Sequence, residues 1–123
     1  MPHSTIVTDE GFRPDDWTGA VTEIAPDTDP ESLADNLGAP LVRVDFPSSA
    51  DGRGFTLARL LRLRGYRGRL RARGLIAPQY AMARRAGFDE VEIDAATAER
   101  QPERLWLTRA DWRAHDHQAA LRR

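Results

Sequence analysis

Leu41-Val42-Arg43-Val44-Asp45-Phe46, then Pro47-Ser48-Ser49-Ala50, then Asp51-Gly52-Arg53-Gly54-Phe55-Thr56-Leu57-Ala58-Arg59-Leu60-Leu61-Arg62, reads as strand, loop and helix in that order. The first run alternates apolar and charged residues with the period of a strand exposed on one face. The second carries proline, serine and glycine, which break regular structure. In the third, Leu57, Leu60 and Leu61 fall at i, i+3 and i+4 on one helical stripe, with Arg59 and Arg62 on the other side. A strand followed by a helix of about ten residues is half of a βαβ unit, and the rest of the chain repeats the theme.

Upstream, Thr5-Ile6-Val7-Thr8 and Val21-Thr22-Glu23-Ile24-Ala25 are candidate strands. Residues 1–16 read as a polar N-terminal segment, with Trp17 packing against the edge of the domain. Asp29 followed by Pro30 fits an N-cap with proline at the first helical position. That helix is expected to run to Leu37 and close on Gly38. Downstream, Gly65-Tyr66-Arg67-Gly68 ends the central helix, and Arg69-Leu70-Arg71-Ala72-Arg73 alternates strictly as a strand. Gly74 to Pro78 is a loop, Gln79 to Ala86 a helix capped by Gly87, and Glu90-Val91-Glu92-Ile93-Asp94 another alternating strand. Residues 95–123 read as a helical or irregular extension in which Trp106 and Trp112 are packing anchors.

Strands alternating with helices predict a single α/β domain of successive βαβ units around a parallel sheet. Parallel strands covered on both faces are near-continuously apolar, and these are not. Val42, Val44, Phe46, Leu70, Ala72, Val91 and Ile93 share one face. Arg43, Asp45, Arg69, Arg71, Arg73, Glu90, Glu92 and Asp94 share the other. Helices are therefore expected mainly on one face, giving a half-barrel-like or open-faced two-layer arrangement. The bare face sets arginines of one strand beside carboxylates of its neighbours, each pair contributing roughly 0.2–1 kcal/mol when solvated.

The chain has 123 residues, 41% hydrophobic, and a net charge of -1. It has no cysteine, which excludes disulfides, thiolate nucleophiles and cysteine-ligated metal clusters. All 18 basic residues are arginine, so Schiff-base chemistry and a P-loop lysine are excluded as well. With no long apolar run and no secretory leader pattern, a cytoplasmic protein is expected. The charge is segregated: residues 1–52 hold two arginines and eleven acids, and residues 53–85 hold ten arginines and no acid. Such a block pairs with the acidic flanks or faces an anionic partner. Nucleic acid is disfavoured by the pI near 6.3 and the scarcity of interleaved aromatics.

Ligands of open parallel sheets bind beyond the carboxyl ends of the strands. Three loops are expected to converge there: Pro47–Gly54, Gly74–Pro78 and the stretch after Asp94. Asp51-Gly52-Arg53-Gly54 opens a helix, where backbone N–H groups favour an anion, and Arg53 offers a bidentate contact. The competing reading is a tight turn capped by Asp51. Arg71 and Arg73, with Arg69, suit a phosphate or sulfur-oxyanion ligand, or else form an ion-paired sheet face. His115-Asp116-His117 looks like a metal-binding snippet, but i and i+2 point apart on a helix, so no metal site is assigned and His3 adds none.

The run Asp51 to Arg62, followed by Gly65-Tyr66-Arg67-Gly68-Arg69-Leu70-Arg71-Ala72, Gln79-Tyr80 and Arg85-Ala86-Gly87-Phe88-Asp89, resembles the DUF934 family over roughly residues 17–94. Members of that family are described as probable oxidoreductases associated with sulfite reductase. The resemblance implies an accessory role in assimilatory sulfate and sulfite reduction, with sulfite reductase or its electron donor as partner. Where the family carries an acidic residue before the glutamine, this chain has Pro78, so no carboxylate stands there. Three readings follow. In the first, a non-catalytic protein docks through an Arg-rich surface that includes Arg53, Arg59 and Arg71. In the second, a small oxidoreductase holds an anion or a noncovalent flavin at Asp51–Gly54 and at Arg73–Gln79, beside Tyr80. In the third, the charged sheet faces of two copies pair as a homodimer without ligand.

Overall fold

The computed structural model describes residues 4–48 and 50–113. The sequence and the structure agree most closely in the middle of the chain. The strands are β1 (Thr5–Thr8), β2 (Gly11–Pro14), β3 (Thr22–Ile24), β4 (Leu41–Asp45), β5 (Arg69–Arg73) and β6 (Glu90–Ile93). The helices are α1 (Arg53–Leu63), α2 (Tyr80–Ala86), α3 (Ala95–Arg100) and α4 (Glu103–Leu107), with 3-10 turns at Pro30–Asn36 and Ala77–Gln79. All six strands form one sheet in the order β2-β1-β6-β5-β4-β3. Strands β3 to β6 are parallel neighbours added in sequence order, while β1 pairs antiparallel with both β6 and β2. Among the described residues no helix is long and apolar enough to cross a membrane.

Two expectations are corrected. The sheet is mixed rather than parallel, because the segment read as a polar lead-in is a hairpin built into it. Val7 is buried in the core. Gly11, at φ 115°, turns the chain just after the two-residue tip, a conformation that favours glycine. The Asp29-capped segment is a 3-10 turn rather than an α-helix. Asp29 does accept from Glu31 N as an N-cap, but Gly38 is not in the left-handed region.

The core lies against one face of the sheet. Val42, Val44, Leu70, Ala72 and Val91 from the strands meet Leu57, Ala58 and Leu61 of α1 and Ala83 and Ala86 of α2. Parallel register sets Arg43 beside Arg71 and Arg71 beside Glu90, so the charged side chains share the other face. That face is not left bare at its centre. Strand β2 lies at one edge of the sheet and β3 at the other, so residues 15–21 must cross it. Five strand intervals of about 4.8 Å make about 24 Å. Seven linking residues can span little more than that at roughly 3.3–3.6 Å each. The segment crosses on the charged face: Asp15 bonds Arg71, and Trp17 lies 5.4 Å from the Arg69 guanidinium.

Candidate functional site

The carboxyl ends of β4, β5 and β6 open into a cleft of about 500 Å³. Its wall comes from three loops: Phe46 to Ser48 after β4, Gly74 to Ile76 after β5, and Asp94 onward after β6. These are parts of the three loops expected there. Ser4, Arg73, Glu92, Thr97 and Arg100 complete it. Two glycines set the loops close together. Gly74, at φ 100°, sits where a Cβ would run into the Phe46 carbonyl oxygen, and Phe46 N donates to Arg73 O at 2.8 Å. A Cβ on Gly54 would lie 2.5 Å from the Phe46 ring, so the helix start rests directly on that ring. Phe46, Phe55 and Phe88 stack edge-on or tilted behind it, with centroids 4.8–6.5 Å apart.

The loop singled out by its sequence lies outside the cleft wall. Arg53 donates to Asp51 through Nε (3.1 Å) and Nη2 (2.8 Å), and its backbone N–H donates to the same carboxylate at 3.0 Å. Asp51 therefore occupies the guanidinium fork that an anion would need. The hydrogen bonds from Arg53 hold the Asp51 carboxyl below its usual range. Gly52 is the N-cap of α1 and is exposed. Arg59 is exposed on α1 and has no ion pair among the described residues.

Arg71 is far from free. It is 1% exposed and donates to Glu90 (2.7 Å), Glu92 (3.0 Å) and Asp15 (3.1 and 3.3 Å). Burial works against its charge, but Glu90 and Asp15 outweigh burial and hold it protonated. Glu92 is the hub of this face, accepting from Arg71, Arg43 and Ser4. Arg43 Nε is the buried side-chain nitrogen left without a partner among the described residues. Arg73 stands at the cleft, bonded to Asp45 at 3.2 Å. The ion-paired sheet face is thus realised within one chain. Its centre is buried rather than solvated, which the alternating pattern alone did not show.

Gln79 and Tyr80 do structural work. Gln79 Oε1 accepts from Ile76 N at 3.1 Å, closing the 3-10 turn. Tyr80 is buried, its ring edge-on to Trp106 at 6.2 Å and its hydroxyl donating to Asp9. Burial first, then that bond to Asp9, pushes the Tyr80 phenol well up. Burial alone would raise Asp9, but bonds from Tyr80, Arg84 and Trp112 outweigh it and hold its carboxyl low. Sequence reading missed Asp9, Asp15 and Arg100. None sits in a motif, and the only signal was the acid–arginine segregation, which named no partners. The three histidines lie outside the described residues. Among the described residues no cluster of histidine, aspartate and glutamate is arranged to hold a metal.

The motif residues outside the loop also serve the fold. Arg62 donates to Gly87 O (2.9 Å), Tyr66 O and Gly68 O (3.0 Å each) and Asp89 (2.9 Å). Asp89 accepts in turn from Leu70 N at 2.8 Å. One arginine thereby ties the end of α1 to the turn before β5 and to the turn before β6.

A family model described as "Bacterial protein of unknown function (DUF934)" matches residues 21–121. No curated protein and no solved structure matches the chain. The matched span takes in the cleft loops, the Arg62 clamp, α3 and α4, and begins after the β1–β2 hairpin and most of the crossing segment.

Proposed function

Since the chain belongs to the DUF934 family, we propose that it is an accessory protein of assimilatory sulfate and sulfite reduction that docks on sulfite reductase or its electron donor. One observation carries the docking part. Most arginines of the acid-free block are taken up internally: Arg53, Arg62, Arg69, Arg71, Arg73 and Arg84 all have carboxylate partners. Arg59 and Arg67 have none among the described residues, and Arg64 bonds a backbone carbonyl, that of Pro30. These three surround Leu63 in sequence at the end of α1, and Leu63 is 76% exposed. An exposed apolar side chain flanked in sequence by cations that no carboxylate holds suits an acidic protein surface, where charge steers the encounter and the apolar contact holds it.

The test is capture of purified sulfite reductase, and separately of its electron donor, by the immobilised chain. Leu63→Asp and Arg59→Glu are each expected to weaken capture of one of them by about tenfold or more. Capture should also fall steeply as salt rises. Capture insensitive to both substitutions and to salt sinks the reading.

A further inference from the structure

The polar groups of the cleft wall decide what charge it would accept. Its two carboxylates are already committed. Glu92 accepts from two guanidinium groups and the Ser4 hydroxyl. Asp94 caps α3, accepting from Thr97 N at 2.7 Å. Its cations keep donors to spare. Arg73 hydrogen-bonds through Nε alone; its Nη1 lies 3.8 Å from Glu23, too far for a hydrogen bond. Arg100 has no hydrogen bond or ion pair among the described residues, and feels Asp94 only as a nearby charge. The Ser48 hydroxyl accepts from Ala50 N and still has its own proton to give. Surplus donors thus face a cleft whose acceptors are spent. Phe46, Pro47, Leu75 and Ile76 supply the apolar part of the wall. The volume of about 500 Å³ lies within the roughly 300–1,000 Å³ of small-molecule sites. It is too large for a bare inorganic anion to fill.

We propose that this cleft binds a small organic anion, with an apolar or flat body against Phe46 and Ile76 and an oxyanion head paired with Arg73 and Arg100. The site is independent of the docking face. Helix α1 begins at the carboxyl ends of the strands and runs back, so Leu63 lies at the opposite end of the sheet from the cleft. The assignment needs no Asp51–Gly54 anion site, since Arg53 is held by Asp51 there.

Calorimetric titration of the full chain with 1-naphthyl phosphate, 1-naphthoate and 1-naphthol tests it. At least one anion is expected to bind, with 1-naphthol weaker by about tenfold or more. Binding of the phosphate alone assigns a phosphate monoester, and binding of the carboxylate alone assigns an organic acid. Arg100→Ala and Arg100→Glu should weaken the anion by about tenfold and further still, respectively. Both should leave the circular dichroism spectrum unchanged, because Arg100 is exposed and braces nothing. Amide shifts on titration should cluster at Ser48, Gly74 and Thr97 and spare Leu63. The proposal is overturned if neither anion binds, if 1-naphthol binds equally well, or if both Arg100 variants bind as the parent does. Arg73→Gln is the second probe, expected to weaken the anion at unchanged fold; full binding by this variant also overturns it.

Discussion

Arg71 shows why a buried charge depends on its neighbours. It is enclosed by Glu90, Glu92 and Asp15, and each oxygen it meets is partly stripped of water. Arg71→Met keeps the volume but leaves Glu90 and Glu92 buried beside one guanidinium fewer. Removing one member of such a set costs about 3–5 kcal/mol. Chemical denaturation at pH 7 is expected to show a loss of that size, partly restored by the added change Glu90→Gln. Asp9 works by the same rule at the hairpin tip, and there pH is the probe. Its folded carboxyl lies below the ordinary value, so the unfolded chain takes up that proton first as pH falls. The stabilisation is present at neutral pH and is lost as pH drops through the carboxylate range toward the folded value. Asp51 and Asp94 have the same sign. Asp9→Asn should therefore flatten part, not all, of the fall in stability between about pH 5 and about pH 3. An unchanged acid limb would mean that the Tyr80, Arg84 and Trp112 bonds are not made in solution.

At the scale of the element, α1 and its flanking turns are where sequence reading succeeds and also where it misleads. The Leu57–Leu61 stripe, strand β5 with its stated bounds, and the Gly87 cap, at φ 116°, are all as expected. Each is fixed by local periodicity or by one residue's conformational freedom, which a sequence displays directly. The purpose of the motif is not displayed. Gly54 makes room for the Phe46 ring, and Arg53 is held by Asp51. Arg62 spans four acceptors whose positions depend on two separate turns. A run of residues that looks poised for a ligand is, in the main, a set of braces. Arg62→Ala is expected to cost about 2–4 kcal/mol, since charge-assisted bonds contribute roughly 1.5–3 kcal/mol apiece and are not additive. Arg62→Lys should recover little, because a point charge cannot reach carbonyls on two sides at once. Full recovery by lysine, measured by urea denaturation, would show that charge alone matters there.

Across the whole molecule, pairing order could not be read from the chain. The hairpin Thr5–Pro14 offers short strands with little apolar signal, and nothing local says that β1 pairs with β6 rather than with β3. The cleft was legible as a place, because sequential parallel strands put their following loops at one end. Its committed carboxylates and the spare donors of its arginines were not, since commitment depends on partners far along the chain. The sheet has its interior at β5 and β6 and its edges at β2 and β3, so protection should be graded. Native-state hydrogen exchange is expected to be slowest in β5 and fastest in β2 and β3. Equal protection across all six strands would indicate that the sheet opens only as one unit.

The crossing segment has a consequence for biosynthesis. Ser4 and Glu92, which bond each other, are 88 positions apart, and Asp15 must wait for Arg71. As the ribosome extrudes the chain, the hairpin is the first strand pair to emerge, yet its docking edge on β6 is the last to be made. For most of translation β1 carries an unsatisfied edge, the kind of surface through which nascent chains stick to one another. The parallel β3–β4–β5 unit can assemble meanwhile. The hairpin cannot join at the far side until β6 is made, and its joining draws residues 15–21 across the charged face like a latch closed after the box is full.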